Sequence, residues 1–253
     1  MQGSVSRLKL FKACHRAYYF KYIEQLEPVQ KAESLETGTK YHELIEYLYK
    51  HGCLHDMFEP TKEYAMAMAY DKYIYPQIRV KSVEQEKVKP CGDHTIFGRV
   101  DGIAEDGNLV EHKTTSMNLD EYEYKLQWDE QMLVYMWLTE TNHIWYTMCR
   151  KPTIRQKKDE TDEEFFIRMV QWYDEDTNSK IRLTKITRTD TEIEMCIKEL
   201  KWTMDDIEAL NTKDISRWNK NTCYCNHWGR ECDYVNICLN YDPNVQYIEF
   251  TKG

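Results

Sequence analysis

The sequence has no run of the roughly 18–20 apolar residues that a membrane-spanning helix requires, and no apolar stretch near its N-terminus has the length of a signal peptide. Both absences predict a cytoplasmic protein, and disulfide bonds are rare in that compartment. Internal repeats and low-complexity tracts are also missing. We therefore expect an ordinary globular protein and neither a repeat array nor a largely disordered chain.

Positive charge is in deficit, because 34 Lys and Arg stand against 43 Asp and Glu, which gives a net charge of −9. A protein that only coats nucleic acid is usually basic, so the charge argues against a pure nucleic-acid-binding module. It is compatible with an enzyme that clusters carboxylates to hold metal ions. The 253 residues, 42% of them hydrophobic, suffice for a substantial core, and we expect a single domain over residues 1–253.

Hydrophobic periodicity predicts an α/β protein. Helices are predicted over residues 4–26, 36–51, about 61–80, 119–141, 161–175 and 190–217. Strands are predicted over residues 83–89, 94–105, 108–115, 143–151 and 181–189. Within the domain we expect a helical N-terminal part (1–80), a central core (81–217) and a cysteine-rich tail (218–253).

A short pattern of carboxylates and a lysine is the most informative local feature. Asp101 and Glu111 lie on the two strands that a predicted hairpin turn at Asp106-Gly107 joins. The turn places the two carboxylates on neighbouring strands. Lys113 shares a face with Glu111, because residues two apart on a strand point the same way. The alternative is a surface hairpin with a cross-strand Glu–Lys pair.

Two carboxylates and an ammonium group are the groups that phosphodiester hydrolysis requires. Carboxylates hold Mg²⁺ or Mn²⁺, which polarises a phosphoryl oxygen and lowers the pKa of a bound water. A lysine orients the water, helps to deprotonate it, or neutralises the developing charge. His42, on an earlier helix, is a further potential ligand for the same cation. Gln131 and Tyr135 lie one helical turn apart and share a helix face. Taken singly, each of these three is more simply explained as a structural or surface residue.

In combination, these residues resemble the RecB-type branch of the PD-(D/E)XK nucleases. The resemblance rests on the order and spacing of His42, GRVD (98–101), EHK (111–113) and QMLVY (131–135). It implies an α/β fold with a restriction-endonuclease-like core, in which helices flank a central mixed sheet.

The resemblance also implies a role for each motif residue. It assigns metal binding to His42, Asp101, Glu111 and the main-chain carbonyl of His112. It makes Lys113 catalytic, together with the two carboxylates, and places Gln131 and Tyr135 beside the active site, where they support it or contact DNA. The implied metal ion is Mg²⁺ or Mn²⁺.

Nine cysteines in a reducing compartment require an explanation other than disulfide bonds. Four of them are isolated and are expected to be small buried apolar residues: Cys53, Cys91, Cys149 and Cys196. Four others lie close together in the tail, and closely spaced cysteines of this kind usually hold metal: Cys223, Cys225, Cys232 and Cys238. Structural zinc sites usually show paired C-x₂₋₄-C knuckles. The wider spacing here favours an iron–sulfur cluster, and zinc or plain buried thiols are the alternatives.

The tail also resembles that of the iron–sulfur nucleases known from AddB, from CRISPR-associated RecB-type nucleases and from phage exonucleases. In these proteins one N-terminal and three C-terminal cysteines bind a [4Fe–4S] cluster. The resemblance implies Cys14, Cys225, Cys232 and Cys238 as ligands, with Cys223 as the alternative to Cys225. A cluster so placed is expected to be structural and to join the N- and C-terminal parts in one lobe.

Three functions are consistent with these features. The leading expectation is a DNA exonuclease that acts at ends of single- or double-stranded DNA in recombination or repair, in a phage-related setting. The second is trimming of prespacers in CRISPR adaptation, and the third is a catalytically idle module that binds DNA ends. The sequence has no G-x-x-x-x-G-K-[ST] phosphate loop. Any unwinding would therefore require a separate helicase, and a recombination protein is a further expected partner.

Overall fold

The computed structural model describes residues 1–28, 33–227, 230–240 and 250–252. The helices are α1 Val5–Ala13, α2 His15–Tyr18, α3 Glu33–His51, α4 Lys62–Tyr73, α5 Leu119–Lys125, α6 Glu130–Thr139, α7 Asp162–Glu175, α8 Asp190–Leu210 and α9 Val235–Asn240. The strands are β1 Gln2–Gly3, β2 Leu26–Pro28, β3 Val80–Cys91, β4 His94–Ala104, β5 Leu109–Thr115, β6 His143–Arg150, β7 Ile181–Thr187, β8 Asn226–His227, β9 Arg230–Glu231 and β10 Phe250–Lys252. Within the described residues, no helix has both the length and the apolar character needed to cross a membrane.

A mixed sheet of six strands forms the centre of the fold. Its order is β1-β4-β5-β6-β7, and β3 pairs with β4. The β4–β5 and β6–β7 pairs are antiparallel, whereas β5 and β6 are parallel. A parallel pair needs a crossover connection, and the chain makes it through α5 and α6. The predicted α/β fold with a mixed sheet flanked by helices is therefore confirmed.

The chain divides into two compact units. The terminal unit comprises Met1–Ala32, Val88–Phe97 and Met195–Gly253, and the central unit comprises Glu33–Lys87 and Gly98–Glu194. The first and last parts of the chain thus belong to the same unit.

In the central unit, three helices cover one face of the sheet. Apolar residues of α3, α4 and α7 pack against side chains that the strands direct to this face: Ala104, Val110, Cys149 and Ile181. Full burial of an aliphatic side chain of the size of Val110 or Ile181 contributes about 1.5–3 kcal/mol. Helix α6 lies at the opposite face of β5 and contacts both β5 and β6. This face carries the polar residues described below.

The terminal unit has an aromatic core. Trp218 is fully buried, stacks on Tyr18 with ring centroids 5.8 Å apart, and meets Phe11 edge-on at 6.4 Å. Tyr234 stacks on Phe20 at 5.7 Å. These contacts join helices near the N-terminus to segments near the C-terminus within one unit.

The helix predicted over residues 4–26 is interrupted at Cys14. This residue is extended, with φ −162° and ψ 114°, and it separates α1 from α2. The chain continues from α2 as a π-helix over Tyr19–Ile23. Asn221 fixes the break, because its side chain donates to the carbonyl of Ala13 at 2.7 Å. A contact so distant in sequence cannot be inferred from helical periodicity.

Three other predicted helices are too long, and local reasons account for two of them. The helix predicted over 61–80 ends at Tyr73, three residues before Pro76, since proline disfavours helical backbone before it. The helix predicted over 119–141 is divided at Asp129, whose side chain caps α6 by accepting from the N–H of Gln131. The helix predicted over 190–217 ends at Leu210.

Candidate active site

The predicted hairpin joins the two central strands of the site. Gly107 has φ +82° in the turn, and the antiparallel register pairs Ile103 with Leu109 and Gly102 with Val110. Asp101 therefore comes next to the start of the EHK motif. Its Oδ2 accepts a hydrogen bond of 2.7 Å from the main-chain N–H of His112.

Glu111 and Lys113 lie on the same face of β5, as the period of two predicts. Lys113 Nζ donates to Glu111 Oε1. The side-chain amide of Gln131, on α6, donates to the same oxygen at 3.2 Å and to the hydroxyl of Tyr135 at 2.9 Å. The structure thus brings these four motif residues together in one hydrogen-bonded chain.

His42 approaches from α3, and its Nδ1 lies 3.4 Å from Asp101 Oδ1. Beside this pair, the central unit has a cavity of about 530 Å³. Ten residues line it: Gly38, Thr39, His42, Glu43, Glu46, Glu84, Arg99, Asp101, Lys113 and Thr114. The cavity is therefore bordered by several of the predicted site residues.

The side chain of His112 points away from this cavity into the core. Its Nδ1 lies 2.7 Å from Thr147 Oγ1, and its ring meets Tyr70 edge-on at 5.2 Å. Burial lowers the pKa of His112 to about 4, so that the ring is neutral. The imidazole of His112 therefore takes no part in the site, and His112 contributes to it through its main chain.

The sequence did not single out Glu84, which the structure places in the site. One ligating atom each of His42, Glu84 and Asp101 lies within 4.8 Å of the other two. Glu84 Oε2 also lies 2.5 Å from Arg99 Nε. In sequence Glu84 is one of several acidic residues along a charged strand, and nothing there distinguishes it from Glu86.

The charges of the site residues depend strongly on one another. Burial opposes the ionisation of Asp101, but the hydrogen bond and charge of His42 outweigh it and hold the pKa of Asp101 below its usual range. Burial, followed by the charge of Asp101, raises the pKa of Glu111 to about 7. Burial also disfavours the charge of Lys113, yet both carboxylates outweigh it and raise the pKa of Lys113 above its usual value. Lys113 is therefore a permanent positive charge at neutral pH.

The residues fit a divalent metal ion. Glu111 is only 2% exposed, and its Oε2 has no hydrogen-bond partner among the described residues. A buried oxygen of this kind is costly unless something satisfies it. Oxygen ligands from carboxylates are those that Mg²⁺ and Mn²⁺ prefer, and imidazole is compatible with Mn²⁺. Asp101, Glu111 and His42 together supply such a donor set.

The cysteines named for the cluster lie in the terminal unit. Cys14 and Cys238 are buried, Cys225 and Cys232 are half-buried, and Cys223 is exposed. The main-chain N–H of Asn221 donates to Cys14 Sγ at 3.4 Å, and its carbonyl accepts from Cys225 Sγ at 4.0 Å. The N-terminal thiol and the tail are thus in contact. Of the four isolated cysteines, Cys91, Cys149 and Cys196 are buried as predicted, whereas Cys53 is exposed.

Comparison with solved structures finds chains that are described as exonucleases or as a putative exonuclease. A putative exonuclease from Eubacterium rectale has a TM-score of 0.51 at 13% identity, over 81% of this chain and 79% of that one. The alkaline exonuclease LHK-Exo of Laribacter hongkongensis has a TM-score of 0.47 at 13% identity, over 82% and 88%. A phage-related exonuclease from Haemophilus somnus 129PT has 0.37 at 18% identity, over 78% and 95%. At 13% identity, the likeness to the Eubacterium rectale protein concerns the fold alone.

Comparison by sequence gives the family. Among curated protein sequences, none matches this chain. The family model of the PD-(D/E)XK nuclease superfamily matches residues 2–239, which include the hairpin, the helix that carries His42 and the helix that carries Gln131. The chain therefore belongs to the PD-(D/E)XK nuclease superfamily.

Proposed function

We propose that this nuclease is a divalent-metal-dependent DNA exonuclease. The observation that carries the proposal is the buried Oε2 of Glu111, which lies beside Asp101 and Lys113 and has no hydrogen-bond partner in the part of the chain that the structure describes. Asp101, Glu111, His42 and the main-chain carbonyl of His112 would hold the Mg²⁺ or Mn²⁺ ion. When bound, such an ion polarises a phosphoryl oxygen and acidifies a water molecule.

The protein residues supply positioning and charge. The N–H of His112 fixes the orientation of the Asp101 carboxylate, and Gln131 fixes one oxygen of Glu111. Lys113, which stays protonated, stabilises the negative charge that develops on a phosphate in the transition state. Because its pKa is raised, Lys113 is poorly suited to accept a proton from water. We therefore assign it electrostatic stabilisation and orientation of the water.

The proposed substrate and biological setting are inferred by comparison with similar proteins. The Eubacterium rectale protein of the same fold is described as a putative exonuclease, and we assign this chain the same activity at DNA ends. We place it in recombination or repair in the cytoplasm of a bacterial or phage-infected cell, working with a separate helicase or recombination protein. Prespacer trimming in CRISPR adaptation would use the same site and remains the second candidate. The complete set of His42, Asp101, Glu111 and Lys113 counts against a catalytically idle module.

The proposal is tested by incubating the purified protein with end-labelled single- and double-stranded DNA and Mn²⁺. We expect nucleotides to be released from the ends by the wild type and not by Lys113→Ala. Covalently closed circles should resist cleavage. If closed circles were cut as fast as linear DNA, the exonuclease assignment would be overturned. The absence of any Lys113-dependent cleavage would overturn the proposal that the protein is an active nuclease.

We further propose that Cys14, Cys225, Cys232 and Cys238 hold a [4Fe–4S] cluster. Burial, together with the nearby thiols of Cys14 and Cys225, raises the pKa of Cys232 to about 11. The same two thiols also contribute to the raised pKa of Cys238, after burial. Cys225 is half-buried whereas Cys223 is exposed, which favours Cys225 as the ligand.

The spacing of the cysteines in the sequence favours a cluster over zinc. Structural zinc sites usually carry paired C-x₂₋₄-C knuckles, whereas six residues separate Cys225 from Cys232 and five separate Cys232 from Cys238. The test is anaerobic purification followed by an absorption spectrum and iron and sulfide analysis. A brown protein with about four iron atoms per chain is expected, whereas a colourless zinc protein would overturn the cluster and leave the nuclease in place.

A further inference from the structure

Arg150, the last residue of β6, lies on the face of the sheet that carries the candidate site. Cys149, the residue before it, packs on the opposite face with residues of α3, α4 and α7, and successive side chains of a strand alternate between the two faces. The parallel register pairs Arg150 with Thr115, two residues beyond Lys113. Arg150 therefore shares a face with Lys113 and Glu111, and strand spacing puts its Cα roughly 8 Å from that of Lys113.

The guanidinium of Arg150 has no partner in the part of the chain that the structure describes. Its Nε is buried and donates to no acceptor there, and the two terminal nitrogens form neither a hydrogen bond nor an ion pair within the same residues. The residue is half-buried, and the terminal nitrogens, unlike Nε, remain accessible to solvent. A charged group that is partly removed from water and lacks a counter-charge is unfavourable, and an anion that binds to it relieves this cost.

Arg182, on the neighbouring strand β7, provides the comparison. The register pairs it with Met148, so that it lies on the same face of the sheet as Arg150. Its guanidinium is held by Asp120 at 2.8 Å and by Glu123 at 2.6 Å. Among the described residues, the chain thus supplies carboxylates to one arginine of this face and none to the other. The counter-charge that Arg150 lacks is therefore expected to come from a ligand.

We propose that Arg150 binds a backbone phosphate of the DNA next to the scissile phosphate. This inference rests on the proposed nuclease function, in which Lys113 acts on the scissile phosphate. The offset between the two residues along one face directs Arg150 to the neighbouring phosphate of the same strand. The two terminal nitrogens of its planar guanidinium can donate to two oxygens of one phosphate, a contact that fixes orientation as well as adding affinity. Arg150 would thereby set the position of the strand at the site.

The first experiment measures binding of a fluorescein-labelled single-stranded oligonucleotide to the full-length protein by fluorescence anisotropy. EDTA is present, so that neither cleavage nor a divalent ion affects the result. Each phosphate contact with a single strand contributes about 0.7 to the slope of log Kd against log salt concentration. We expect Arg150→Met to bind several-fold more weakly and to lower this slope by about 0.7. Arg150→Lys should keep the slope, because the charge remains, but should bind more weakly, because lysine cannot form two parallel bonds.

Arg217→Met is the matched control, because it removes the same charge from an exposed position, and it should keep both the affinity and the slope of the wild type. Circular dichroism of each variant verifies the fold. An unchanged slope in a folded Arg150→Met, or an equal fall in Arg217→Met, would overturn the inference. If Arg150→Met does not fold, Arg150→Lys is decisive, since affinity equal to that of the wild type would exclude a two-bond contact with phosphate.

A second experiment locates the contact and separates this inference from the proposed function. With Mn²⁺, an uncharged methylphosphonate at the linkage next to the scissile one should slow cleavage by the wild type and cause no further slowing in Arg150→Met. Equal slowing in both proteins would show a merely structural role for Arg150, while Lys113-dependent cleavage would still support the nuclease. A lower salt slope in Arg150→Met without any Lys113-dependent cleavage would instead overturn the nuclease and leave the phosphate contact in place.

Discussion

The main-chain N–H of His112 donates a hydrogen bond of 2.7 Å to Oδ2 of Asp101. One oxygen of the Asp101 carboxylate is thus held by the main chain of the EHK motif, so its orientation depends on the pairing of β4 with β5. Sites supported in this way hold their geometry closely. The predictions below test what each of the surrounding groups contributes.

Lys113→Met should remove the positive charge while keeping most of the aliphatic stem. We expect kcat to fall at least about 100-fold, the usual loss on removal of a group that stabilises transition-state charge, with Mn²⁺ binding retained. Rates should be measured well above pH 7, because Glu111 loses its counter-charge in this variant. Lys158→Met, at an exposed position, is the control. Equal rates for both variants would contradict a role for Lys113 in the chemistry.

The raised pKa of Glu111 predicts a pH dependence. Its folded-state pKa is about 7, against an ordinary value of 4.5, so the metal-free folded protein binds a proton that the unfolded chain releases between these values. The stability from Glu111 is therefore present below about pH 4.5 and is lost as the pH rises through about 7. Thermal unfolding in EDTA should show this loss in the wild type and a flatter profile in Glu111→Gln.

Metal binding should have the opposite dependence on pH. A divalent ion needs the ionised carboxylate of Glu111 and competes with its proton. As the pH is raised toward about 7, the affinity for Mn²⁺ should increase by up to about tenfold per pH unit, and above about pH 7 it should level off. Calorimetric titration at several pH values measures this, and an affinity independent of pH across this range would show that Glu111 is not a ligand.

Gly98 and Gly38 should respond in opposite ways to alanine. A Cβ at Gly98 would lie 2.6 Å from Tyr135 Cε1, so the ring must move and its hydrogen bond with Gln131 is disturbed. We expect Gly98→Ala to lower the free energy of unfolding by about 1–3 kcal/mol and to slow cleavage. Gly38 lies within α3, where the nearest atom of the described residues to an added Cβ would be Thr114 Oγ1 at 3.9 Å, an ordinary van der Waals contact. Gly38→Ala should therefore stabilise the protein by about 0.5–1 kcal/mol, as urea unfolding can measure.

Cys223→Ala and Cys225→Ala form a matched pair that tests the cluster ligands. We expect the first to keep the iron content and visible absorption of the wild type, and the second to lose most of both. The physical reason is that Cys225 lies among the thiols of Cys14, Cys232 and Cys238, whereas Cys223 is exposed. Loss of iron in Cys223→Ala alone would assign the ligand to Cys223 instead.

The sequence alone sufficed for those parts of the site whose geometry is local. A turn at Asp106-Gly107 places Asp101 beside the EHK strand, and the strand period of two puts Lys113 beside Glu111. Helical spacing likewise puts Tyr135 one turn from Gln131. Each relation depends only on residues close in sequence and on regular backbone geometry, which is why the pattern predicted it and the structure contains it.

Tertiary structure alone decided the remaining features. Glu84 enters the site because one backbone dihedral in β3 is reversed, and no periodic pattern encodes such a reversal. Cys14 interrupts a helix because Asn221, distant in sequence, bonds to the residue before it. The side chain of His112 is withdrawn into the core by Thr147. In the cases of Cys14 and His112 the deciding contact joins residues far apart in the chain, and its geometry is fixed only when the elements pack.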